Sequence, residues 1–164
     1  NPNDWIVTTI LDIDNSQIKS VTFQSEDQDF TIDKITPQDI NFGLVNMPDN
    51  SQLKDGVNLD ELANGLQKFN IETANARDDN VVPELTVTYQ LFSGMKYILN
   101  LSQVDQLYYL NIDLENADTA TDYQRQLVNW TYVIANYKFD ALNKTLEALI
   151  EPIPEQNSDE NLNG

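Results

Sequence analysis

The sequence predicts an α+β fold, mainly antiparallel β-sheet, with a hairpin plus a three-stranded meander and two or three helices packed on one side. Three observations predict it. Apolar and polar residues alternate in three runs between residues 85 and 115, broken only by Ile98 on the polar side of the second. Two earlier alternating runs, within 18–33, are joined by a short polar loop. Apolar residues recur at helical spacing over 59–69 and 139–150. Period two is the signature of a half-buried strand, and period 3.6 that of an amphipathic helix.

In chain order, Trp5-Ile6-Val7-Thr8-Thr9-Ile10-Leu11 is β-branched and aromatic and reads as a strand. Asp12-Ile13-Asp14-Asn15-Ser16 reads as a turn or a short helical start. Val21 and Phe23, then Phe30 and Ile32, alternate with polar residues on either side of Ser25-Glu26-Asp27-Gln28, which is a hairpin. Ile40, Phe42 and Leu44 continue the period of two after Pro37. Residues 46–57 read as a loop, and Asn58, three residues before Glu61, caps a short helix over 59–69. Asn64-Gly65 weakens that helix by about 1 kcal/mol against Ala.

Residues 72–84 are polar and read as a loop. The meander follows, turning at Ser93-Gly94 and again after Ser102-Gln103. Its buried face is expected to carry Val87, Tyr89, Tyr97, Leu99, Leu110 and Ile112. Over 118–136 both periods fit, and the reading adopted is a helix over 119–127 followed by a strand over 129–134. Phe139, Leu142, Leu146, Leu149 and Ile150 form a helical stripe, with Asp140 able to cap and Pro152 and Pro154 to stop it. One domain over 1–154 is expected, with an acidic, Asn-rich, disordered tail over 155–164.

Composition excludes several classes of function. With no Cys and no His there is no disulfide, thiolate metal site, thiol nucleophile or imidazole base. Nine scattered Lys and Arg against 27 Asp and Glu, a net charge of −18, argue against nucleic acid and anionic lipid as partners. A cationic partner is steered in. No apolar run approaches the roughly 18–20 residues of a membrane span. The start Asn1-Pro2-Asn3-Asp4, without an initiator Met, leads us to expect a longer natural protein.

No catalytic, cofactor or metal residue emerges from the motifs. Asp12–Ser16 resembles the start of a Ca²⁺ loop, but Gln17 stands at the required Gly and Phe23 at the required Glu. Ser93-Gly94 lacks the Gly-x-Ser-x-Gly of a nucleophile elbow. The surface-binding candidates are Glu26, Asp27 and Asp29 at the hairpin tip, and Tyr108 and Tyr109. Adjacent strand residues point to opposite faces, so one of these two tyrosines is expected outward.

Trp5, Leu11-Asp12-Ile13 and Ile18-Lys19-Ser20-Val21-Thr22-Phe23 at the start, with Trp130-Thr131-Tyr132, Tyr137-Lys138-Phe139-Asp140-Ala141-Leu142 and Leu146-Glu147-Ala148-Leu149-Ile150 at the end, resemble a bacterial family called domain of unknown function 4340. The resemblance spans roughly residues 5–151 and rests on core patterns. It departs at Ile40-Asn41-Phe42, where members often carry a Trp. It implies an extracytoplasmic domain, in the periplasm or at the cell surface, behind a membrane anchor and beside ABC-type transport or gliding-associated components. It brings no activity and no site residues. The expected function is therefore a non-catalytic interaction domain, monomeric or weakly oligomeric, with a protein partner and no cofactor. The alternative is a glycan-binding or carboxylate-dependent hydrolase domain.

Overall fold

The computed structural model describes residues 9–154. β1 (Thr9–Leu11) is the end of the strand expected over 5–11; residues 5–8, like the tail expected over 155–164, lie outside the described residues. Asp14 caps a 3-10 turn over Asn15–Gln17, accepting from the Ser16 N–H at 2.8 Å, and these bonds hold its carboxyl below the ordinary range. The run Asp12–Ser16 is thus a solvated turn. β2 (Ile18–Ser25) and β3 (Asp29–Asp33) form the expected hairpin, with the Phe23 and Phe30 rings stacked at 4.8 Å.

The alternation at Ile40, Phe42 and Leu44 is realised only as the short β4 (Gly43–Leu44). Asp39 accepts from the Ile35 and Thr36 N–H groups, which bends the preceding segment into a turn and leaves Ile40 exposed. Phe42 is buried beneath the Lys34 ammonium, 4.6 Å from its ring centroid. Inside the stretch expected to be loop lies β5 (Ser51–Leu53), paired with residues 150–152.

α1 (Leu59–Ala63) starts at Asn58 as expected, with the Asn58 side chain accepting from the Asp60 N–H at 3.0 Å. It ends earlier than residue 69. A 3-10 turn over Asn64–Leu66 tightens it, Lys68 takes a left-handed φ of 45°, and β6 (Phe69–Asn70) pairs back on β1. Part of the expected loop over 72–84 is a further strand, β7 (Thr73–Ala76).

The meander is β8 (Leu85–Leu91), β9 (Lys96–Val104) and β10 (Leu107–Glu115). Its first turn uses Gly94 at φ 97°, as Ser93-Gly94 predicts. The second falls at Asp105-Gln106 rather than after Ser102-Gln103, with Asp105 at φ 58°. α2 (Asp122–Gln126) opens on a capping box between Thr121 and Gln124, and a 3-10 turn leads into β11 (Trp130–Ile134), so helix then strand is the outcome over 118–136.

The stripe over 139–150 is not one helix. It divides into α3 (Asn136–Leu142), which starts before Asp140 and so is not capped by it, and α4 (Leu146–Leu149). Thr145 caps the second piece, its hydroxyl accepting from the Ala148 N–H at 3.1 Å. Ile150 begins β12 (Ile150–Pro152), the partner of β5.

Eight strands form one antiparallel sheet in the order β4-β3-β2-β8-β9-β10-β11-β7. Its two local stacks meet at the β2–β8 seam, where Val21 faces Tyr89 and Phe23 faces Val87. One face is apolar. Val87, Tyr89, Tyr97, Leu99, Leu110 and Ile112 are all fully buried on it, under Leu59, Leu62, Leu127, Phe139, Leu142 and Leu149 from the helices and turns. The other face carries rows such as Gln24, Thr86, Asn100, Asn111 and Thr131, in which the Thr86 hydroxyl donates to Asn100 and the Thr131 hydroxyl to Asn111. We expect Leu99→Ala to cost about 2–5 kcal/mol in denaturant melts and Thr88→Ala under about 1.

The chain returns from β7 to β8 across this polar face. Arg77 pins the crossing: its guanidinium donates to the Ile112 and Val128 carbonyls and to the Asp79 and Asp113 carboxylates, all within 2.9 Å. Asp78 continues it, taking a bond from the Asn111 amide and donating its N–H to the Thr131 hydroxyl.

Candidate functional site

The turn of the β2–β3 hairpin, the strand start at Leu85 and the α3–α4 junction enclose a cleft of about 1330 Å³. Three parts of the chain, far apart in sequence, build it. The hairpin supplies Ser25–Gln28, the end of the crossover supplies Val82–Leu85, and the junction supplies Phe139, Asn143 and Thr145–Glu147.

Gln28 fixes the arrangement. Its amide nitrogen donates to the Lys144 carbonyl at 3.0 Å, and its oxygen accepts from the Leu146 N–H at 2.8 Å. Those two main-chain groups are left over where the helix breaks, so one side chain satisfies both ends of the break. The hairpin tip is thereby tied to the helices, and the cleft has a closed side.

Four exposed carboxylates rim the cleft: Glu26, Asp27, Glu84 and Glu147. Val82, Pro83, Leu85, Phe139 and Leu146 give it apolar walls, and no Lys or Arg is among the lining residues. The sequence-expected Glu26 and Asp27 are therefore at the site. Asp29 lies next door, on a smaller cavity of about 330 Å³ that shares Leu146 with the cleft. Glu84 and Glu147 were not anticipated, because they reach the rim from separate elements and carry no local motif.

The tyrosine pair divides as strand geometry requires, but away from the cleft. Tyr108 turns inward, half-buried, and packs on Phe139 with ring centroids 4.7 Å apart. Tyr109 sits on the polar face opposite Ser102 and Val133 and does not line the cleft. Among the described residues no group of three or more Asp or Glu is placed to hold a metal ion. A rim of separated, solvated carboxylates over apolar walls attracts positive charge and offers contact area to apolar side chains.

No helix among the described residues is long and apolar enough to cross a membrane. In comparisons with known proteins, no family model matches this chain, and no curated protein and no solved structure shows significant similarity to it.

Proposed function

We propose that this is a non-catalytic interaction domain, working outside the cytoplasm behind a membrane anchor, which receives a basic, apolar-containing segment of a protein partner in the acid-rimmed cleft. The observation that carries the reading is the cleft itself: four carboxylates around apolar walls, with no cation lining it. A net charge of −18 adds long-range steering of such a partner. Among the described residues the one aromatic lining the cleft is Phe139, which is buried and offers no open ring face as a sugar platform, and this supports a polypeptide occupant over a glycan. Membership in the family that the sequence resembles, and with it a place beside a transport or gliding-associated assembly, belongs to the same proposal.

The test uses the full chain and a fluorescent peptide of alternating Lys and Leu. Binding is expected to weaken as salt rises, because the attraction is between exposed charges. Replacing Glu26, Asp27 and Glu147 together by their amides should lower affinity by about tenfold, or about 1.4 kcal/mol. Equal binding of a Glu-Leu peptide, or an unchanged affinity in the amide variant, would refute the reading.

A further inference from the structure

The end of the sheet away from the cleft has its own open chemistry. Among the described residues nothing pairs with the outer side of β7, and Thr73–Ala76 are exposed throughout. Towards β11, the Glu72 N–H donates to the Val133 carbonyl and the Arg77 N–H to the Asn129 carbonyl. The Arg77 bond keeps the register in which Thr73 lies opposite Val133 and Asn75 opposite Thr131, so ladder alternation turns Thr73 and Asn75 towards β11, while the Glu72 bond, one residue out of that register, marks the end of the ladder. The N–H and C=O groups of Ala74 and Ala76 then face outwards in a row.

Protein sheets blunt such an edge with Lys, Pro, short length or a cover. The opposite edge, β4, is two residues long and meets that description. β7 carries no charge and no Pro between Thr73 and Ala76.

A groove adjoins this edge on the apolar side of the sheet. Ala74 lies beside Tyr132 and Ala76 beside Trp130. The Ala74 methyl borders an open space of about 590 Å³, whose walls are mainly Ile10, Ile71, Tyr123, Leu127, Trp130 and Tyr132, with Thr9 and Gln126 as its polar members. Trp130 is 44% and Tyr123 56% exposed there, in a protein that buries most of its large apolar side chains.

We infer that β7 takes up an extended segment of a partner polypeptide as an added strand, with large apolar side chains at alternate positions of that segment entering the groove. A row of main-chain donors and acceptors is matched by another extended backbone. Side chains of an added strand stand on the same face as the residues they oppose, so one opposite Ala74 meets the groove and one opposite Ala76 meets it beside Trp130. A second copy of this chain fits less well. Antiparallel pairing of β7 with itself sets small side chains against small side chains and leaves the groove unfilled.

The experiment uses the full chain with a Lys-flanked peptide in which Thr and Leu alternate. Amide hydrogen exchange should show Ala74 and Ala76 exchanging freely in the chain alone and slowed when the peptide is added, with Thr73 and Asn75 slow throughout. Ala74→Pro removes an outward N–H that β11 does not use, so it should leave the melting temperature unchanged and weaken peptide binding by about tenfold or more. A peptide N-methylated along one edge should no longer slow exchange at Ala74 and Ala76, whatever it does at the acid-rimmed cleft. Three results would each overturn the inference: equal slowing of both amides by the N-methylated peptide, no slowing at Ala74 and Ala76 with the unmodified peptide, or protection of both amides before any peptide is added. In the last case, protection that grows with protein concentration identifies a second copy as the occupant, and protection independent of concentration identifies the chain itself.

Discussion

Gly65→Ala is expected to destabilise the domain by about 3 kcal/mol, although Ala normally stabilises a helical turn against Gly by roughly 1. The reason is a contact across the core. A Cβ at position 65 would collide with the Tyr89 hydroxyl, and would also lie 3.0 Å from the Tyr89 ring carbon and 3.1 Å from a Leu142 methyl. Tyr89 cannot withdraw, because it is fully buried at the centre of the sheet between Val21 and Tyr97. Among the described residues its hydroxyl has no hydrogen-bond partner. A buried, unpaired hydroxyl costs about 1–3 kcal/mol, so Tyr89→Phe alone should stabilise the domain by an amount of that order. The same change removes the atom that a Cβ at 65 strikes. The double variant should therefore recover much of the loss, and a double-mutant cycle should show strong coupling. A Gly65→Ala variant that melts higher than the parent would show that the turn over 64–66 moves aside.

The second large effect is alkaline unfolding. Burial pushes up the hydroxyl pKa values of Tyr89, Tyr97 and Tyr132, that of Tyr132 to about 12. A folded value above the unfolded one, near 10, gives stability that is complete below about pH 10 and is lost as pH rises towards the folded value. Each such group removes about 1.4 kcal/mol per pH unit in its own window, and the three together up to about 4 where the windows overlap. One to two units then consume much of the roughly 5–15 kcal/mol that stabilises a domain. Urea midpoints should be level up to about pH 9 and fall steeply beyond it. Three of the seven tyrosines should give tyrosinate absorbance only as the circular dichroism is lost. Tyr89→Phe should make the fall shallower by about a third. Ordinary titration of all the tyrosines with the fold intact would contradict the burial argument.

The strands that the sequence announces are those buried on one face. Leu85 to Leu91 alternates without a break because every second side chain enters the core, and the hairpin from Ile18 to Asp33 reads as plainly for the same reason. β7 is exposed at all four positions, so no apolar period marks it. β5 and β12 are three residues each and exist through pairing with one another across the length of the chain. The break between α3 and α4 is hidden because Leu142 and Leu146 stay in helical phase across it, while the bonds that stabilise it come from Gln28 in another element. The candidate site was legible to the same extent. Glu26 and Asp27 stand at a turn that local pattern locates, whereas Glu84 and Glu147 join them only through tertiary placement.

The seam between β2 and β8 has a consequence while the chain, translated and threaded across the membrane together as the proposed location allows, emerges N-terminus first into the compartment where it folds. Ser20 and Gln90 are neighbours across it, yet 70 residues separate them in sequence. At about 5–20 residues per second, the finished β2–β3 hairpin waits several seconds before its partner strand emerges. In that interval the nascent chain displays an unpaired edge flanked by Val21 and Phe23, which is the surface that holding chaperones recognise. β8, β9 and β10 then follow in quick succession, each able to pair with the strand just made, so the seam is sealed by a meander that assembles as it is translated. Substitutions that slow the closing of the β2–β8 seam are therefore expected to lower yield in cells more than their effect on equilibrium stability would indicate.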